Sequence, residues 1–203
     1  VALKTAEYLK KLKINVKLFN YWEDKISDYD ILHNVGTASV CYDVVNSAHA
    51  QKVPVALTTI YDFHKLSYII KSAIPLKTKA KQIAYNLINK YFQKFSKVKK
   101  MLDQSSILFP DTWMEGNFLI KNFKIPRRKV FPVPHGVDER FMYAKPNLFY
   151  KKYGLKDFVL YVGRIEIRKN VLNLIRALKN IDLDLVIIGK AEPDQQAYFE
   201  KCK

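Results

Sequence analysis

The chain has 203 residues, 49% of them hydrophobic, enough for one large or two small domains around a packed core. No tract is low in complexity and no apolar run reaches the ~18 residues a membrane span needs, so disordered and integral-membrane classes are set aside. Lys and Arg number 35 against 19 Asp and Glu, a net charge of +16 that favours phosphate-bearing partners, unless the excess is only a Lys-rich solvated surface.

The opening VALKTAEYLKK carries apolar residues at Leu3, Ala6, Leu9 and Leu12, a helical spacing over residues 1–13. It has no basic leader and no small-residue cleavage site, and so does not read as a signal peptide. Ile14 to Asn20 alternates with period two and predicts a strand, as does the short DILHN around Asp30 to Asn34. After Gly36 a helix is expected from about Ser39 to Gln51, then a strand buried on both faces in VPVALTT, Val53 to Thr59. SSILFP (Ser105–Pro110) and KVFPVP (Lys129–Pro134) predict two more strands, with a helix from about Thr112 to Phe123 behind an Asp111–Thr112 cap signal. Strands alternating with helices imply parallel βαβ units.

Pro132, Pro134 and Gly136 make a stiff, turn-rich stretch that reads as an interdomain connection. A second βαβ unit follows, with strands at Phe158–Gly163 and Leu183–Gly189. The helix between them places Val171, Leu174, Ile175 and Leu178 on one face. Each strand ends on a glycine at the carboxyl edge of the sheet, where open α/β sheets bind ligands. The division expected is 1–133 and 134–203. The chain opens without a founding strand and stops after two strands of the second sheet, so the first domain is expected to be partial, the second truncated, and the fragment alone inactive and a poor binder of nucleotide. Cys41 and Cys202 lack metal-ligand spacing, and a reduced, cytoplasmic compartment is expected.

From Arg127 to Gly189 the sequence resembles the retaining glycosyltransferases of family 4. The resemblance rests on KVFPVPHGVDERF (Lys129–Phe141), VLYVGRIEIRKNVLNLIRAL (Val159–Leu178) and LVIIG (Leu185–Gly189), in that order and spacing. It implies a GT-B fold of two Rossmann-like domains, and transfer of a hexose from a nucleotide-diphosphate sugar to a glycan or lipid-linked acceptor, with retention. It implies no cofactor and no metal. The family writes Asn where His135 stands, and His-Asp is common where this chain has Tyr61-Asp62, with His64 coming later. A pair of glutamates that contacts the donor would fall beyond Lys203.

The strongest motif has physical content of its own. Arg164 follows Gly163 at a strand exit, and Lys169 sits five residues on, at the start of a helix. Free backbone N–H groups and the positive helix end favour an anion there. A guanidinium can bind a diphosphate bidentately and an ammonium as a mobile point charge. The same cations would stabilise the charge that grows on the departing diphosphate. The bland reading is two solvated charges, with Arg168 making the region merely basic. Glu166 reads as a loop residue or a partner for these cations. Gly163, Gly189, His135, His33, Tyr61 and Asp62 are the further candidates for the cleft, and the catalytic residue is not assigned. Asp182–Asp184 looks like a metal-binding triplet, but stands at the amino-terminal end of a strand and is read as coincidence.

From Lys65 to Leu102 there are ten lysines and no Asp or Glu. Ile83, Leu87, Ile88, Tyr91, Phe92 and Phe95 fall on one helical face, with lysines over much of the rest. A core-facing helix with a basic back, and an interfacial segment on an anionic membrane surface, both fit. Nucleic acid fits less well, because the aromatics lie on the apolar stripe and are not interleaved with the lysines. The membrane reading would make the protein peripheral on the inner face of a membrane. Beside glycosyl transfer, a basic scaffold and a GT-B-fold nucleotide-sugar epimerase stay open.

Overall fold

A computed structural model describes residues 1–61, 76–92 and 96–203. The fold is mixed α/β, with one parallel sheet of three strands and another of two, an arrangement compatible with Rossmann-like units. The chain divides into two compact units, Val1–Phe63 with Leu87–Gly136, and His64–Asn86 with Val137–Lys203.

In the first unit, β1 (Leu32–Val35), β2 (Val55–Thr58) and β3 (Ile107–Phe109) lie side by side in that order. Leu32 pairs with Val55 and Ala56 with Ile107. All four residues of β2 are buried, as the near-continuous apolar run predicts for a central strand. Helices α2 (Tyr42–Ala50), α4 (Lys97–Gln104) and α5 (Trp113–Phe123) cover the sheet. Val45, Ala48, Met101, Leu102, Leu119 and Phe123 close the core with Leu57 and Leu108. Gly116 on α5 leaves room for the Val130 side chain, which a Cβ would meet at 3.0 Å.

Two expected strands differ. Lys129 to Pro134 forms a single parallel bridge, Val130 with Leu108, along the edge of β3. Phe131 and Val133 donate their N–H groups to Leu108 and Pro110 at 2.9 and 2.8 Å. Pro132 and Pro134 alternate with them and have no N–H to give, which stops the ladder from widening further. Ile14 to Asn20 forms no strand: among the described residues no strand pairs with it, and Ile14 and Leu18 are exposed. Helix α1 (Ala2–Lys11) forms where its periodicity places it, but buries none of its residues.

In the second unit, β4 (Phe158–Val162) pairs in parallel with β5 (Asp184–Ile188), Phe158 against Asp184. Helix α6 (Asn147–Tyr153) precedes β4 and ends on Gly154, whose φ of 71° is the left-handed cap that glycine adopts without a Cβ penalty. Between the strands runs α7 (Val171–Leu178), which buries Val171 and Leu172. The closing helix α8 (Gln196–Cys202) brings Tyr198 onto Ile165 and Leu172. Helix α3 (Leu76–Phe92) spans the division between the units. Among the described residues no helix is long and apolar enough to cross a membrane.

Candidate functional site

Gly163, Arg164 and Gly189 fall at the strand exit of the second unit and Tyr61 at that of the first, whereas His33, expected at a strand-to-loop junction, lies inside β1. At the second, the glycines do what the sequence asks of them. Pairing runs on past the named strands: Gly163 N–H donates to Ile188 O and Ile165 N–H to Lys190 O, both at 2.9 Å. The backbones close so tightly that a Cβ on Gly189 would stand 1.8 Å from the Gly163 carbonyl oxygen. Arg164 is thereby fixed at the carboxyl edge. The Tyr161 hydroxyl folds back beneath it and donates to the Arg164 carbonyl at 2.9 Å. Burial pushes that phenol above its ordinary range.

The Arg164 side chain is 56% exposed and meets Glu192 at 3.0 Å and Glu166 at 3.6 Å. The hydrogen bond with Glu192, then the charges of Glu166 and Glu192, raise its pKa further, so it is a cation throughout. Arg168 reaches Glu166 at 2.8 Å, and Glu166 is only 13% exposed. Glu166 is thus a partner for cations, as expected for a loop residue there. Lys169 closes a 3-10 turn (Ile167–Lys169), is exposed, and pairs with no carboxylate among the described residues. Asn170, at φ 58°, starts α7 without a side-chain cap, and the first turn of α7 holds no acid. The Leu172 N–H is taken by the Tyr198 hydroxyl at 2.9 Å. A helix start with cations around it and no acid of its own favours an incoming anion.

At the first unit's strand exits the anion is already in place. Glu115, 4% exposed, accepts from the Thr59 hydroxyl, from Tyr61 N–H at 2.7 Å and from Asp111 N–H at 2.8 Å. It lies in the first turn of α5, where Thr112 caps the helix by accepting from Glu115 N–H at 3.1 Å. The carboxylate therefore ties the ends of β2 and β3 to the positive end of a helix. It also brackets Ile60, whose φ of 42° is a strained, left-handed conformation for a β-branched residue. Sequence reasoning passed over Glu115. The signal available was Thr112 followed three residues later by Glu115, the capping-box spacing.

Tyr61 presents its ring to Phe118 (centroids 5.6 Å, stacked) and to Phe123 (5.4 Å, edge-on), so its aromatic body belongs to packing against α5. His33 lies within β1 and contacts the Thr58 hydroxyl at 2.9 Å and the Phe109 ring edge-on at 6.0 Å. Its ring is open to solvent on one side, yet the desolvation on the other lowers its pKa. His135 places Nδ1 2.8 Å from Asp111 Oδ1, while Oδ1 itself is buried and has no hydrogen-bond donor among the described residues. The two side chains are in close contact without a formed hydrogen bond. Asp62 and His64 lie outside the described residues.

Asp182 and Asp184 stand at the amino-terminal end of β5, away from the exits. Among the described residues no group of three His, Cys, Asp or Glu side chains is placed to hold a metal ion. Cys41 and Cys202 are free thiols. Compared with protein-family models and with curated proteins, the chain finds no match.

Proposed function

We propose that the chain belongs to a GT-B-type glycosyltransferase that moves a hexose from a nucleotide-diphosphate sugar to a glycan or lipid-linked acceptor. One observation carries the reading: Arg164, Arg168 and Lys169 gather at the carboxyl edge of a parallel sheet, beside a helix start with no acid in its first turn. Arg164 and Lys169 hold the diphosphate, Arg164 after exchanging Glu192 for it. The pair with Glu192 is exposed and so worth little, and a diphosphate with more charge and more acceptors competes well. Gly163 and Gly189 contribute by bringing backbone close to that edge. As the sugar departs, charge accumulates on the leaving diphosphate, and the two cations stabilise that state more than the bound donor. The sequence resemblance supplies the reaction type. A panel of UDP- and GDP-sugars offered to the full-length protein, followed by release of the nucleoside diphosphate, tests it. Release dependent on acceptor and lost in Arg164→Ala is expected; no release with any donor in the panel counts against the proposal.

A further inference from the structure

We infer that α3 is a docking element for an anionic lipid bilayer, lying flat on the headgroups. This is independent of the glycosyl-transfer reading, and it begins from an electrostatic misfit. The 17-residue helix Leu76–Phe92 has no acidic residue in its first turn, where the exposed Lys77 stands against the positive end of the helix dipole. Lys77 and Lys81 are four apart on one face, a like-charged pair, and no Asp or Glu occurs anywhere in the helix. An external anionic surface relieves both.

The second observation is apolar. Leu76, Ala80, Ile83 and Leu87 recur at intervals of four, three and four, one continuous stripe along the helix. Leu76 is 82% and Leu87 60% exposed, Ala80 is exposed and Ile83 half-buried, and none of the four joins a core cluster among the described residues. Lys77 and Lys81 border it on one side and Lys79 on the other. Lysines flanking an apolar stripe can sink their methylene stems with it while the ammonium groups stay at headgroup level. Nucleic acid would reward the lysines but not the exposed leucines, and so charge and stripe together select a lipid surface.

The neighbouring α4 shows what a core helix from the same basic segment looks like. Met101 and Leu102 are fully buried, Lys99 pairs with Asp103, and Lys97 sits over the Tyr42 ring at 5.3 Å. Lys97 and Lys99 are thus answered within the protein. The sequence-level choice between core helix and interfacial helix thus has two answers, one for each helix.

The test is co-sedimentation of the whole chain with vesicles of phosphatidylcholine alone and of phosphatidylcholine mixed with phosphatidylglycerol. The mixed vesicles should bind it, the neutral ones weakly, and binding should fall as salt rises. Lys77→Gln with Lys81→Gln should weaken partitioning about fivefold per lysine. Leu76→Ser with Leu87→Ser should weaken it at every salt concentration. All four side chains lie on the helix exterior, and circular dichroism checks that each variant stays folded. Absence of binding to the mixed vesicles, equal binding to both kinds, or undiminished binding by either folded variant overturns the inference. So does binding to an oligonucleotide that vesicles do not compete away.

Discussion

The two strand exits solve one electrostatic problem in opposite ways. Each unit brings parallel strands to an edge beside the positive start of a helix, and each edge needs negative charge. In the first unit the chain supplies its own: Glu115 is buried there and holds Thr59, Tyr61 and Asp111 at once. In the second unit the edge carries cations, and the carboxylates answering them, Glu166 and Glu192, come from loops beside it and not from the helix start. A resident carboxylate marks an edge closed to anions. On the proposed reading, exposed cations beside an uncapped helix leave the second edge open to an incoming anion.

The comparison can be broken in the first unit with the largest effect. Glu115→Ala leaves two backbone N–H groups and a hydroxyl without their acceptor, and should cost about 3 kcal/mol or more by urea unfolding. A loss within the range of ordinary surface substitutions, about 0.5 kcal/mol, would mean that the carboxylate is not what joins the strand ends. The second unit's counterpart is Gly189→Ala. A methyl at 1.8 Å from the Gly163 carbonyl must push the strands apart, an overpacking cost of about 2–3 kcal/mol, read as a lower thermal midpoint. A variant as stable as the parent would show that the close approach of the two glycines is not required.

The smallest effect concerns His33. Desolvation lowers its folded-state pKa, so the unfolded chain binds the proton more readily. Its neutral form is compatible with folding at neutral pH, and a penalty enters as pH falls through about 6.5, the unfolded value, and is complete below the folded one. His33→Asn should flatten the dependence of stability on pH in that window alone. An unchanged slope would remove His33 as its source.

Legibility followed how local each signal was. The central strand β2 could be read from its continuous apolar run and helix α7 from its helical periodicity, and the positions of Arg164 and Lys169 because they sit in a strand–Gly–helix sequence. The expected strand at Ile14–Asn20 failed since alternation describes a face, not a partner, and among the described residues no strand pairs with it. Glu115 was missed because its three partners come from Thr59, Tyr61 and Asp111, brought together only by the fold. Tyr61 was a candidate for the cleft because Tyr61-Asp62 stands where the family commonly has His-Asp, and its packing on Phe118 and Phe123 was not legible there. The side chains of Tyr91, Phe92 and Phe95, which the sequence puts on the apolar stripe, lie outside the described ones.

The claim that the second exit is an anion site is tested most directly by calorimetric titration of UDP and GDP into the full-length protein and three variants. Arg164→Ala and Lys169→Ala should each weaken binding about ten- to a hundredfold, the range for a hydrogen bond to a charged group. Glu192→Ala, which frees Arg164 from its exposed partner, should strengthen it a few fold. Binding that is indifferent to all three substitutions would contradict the account.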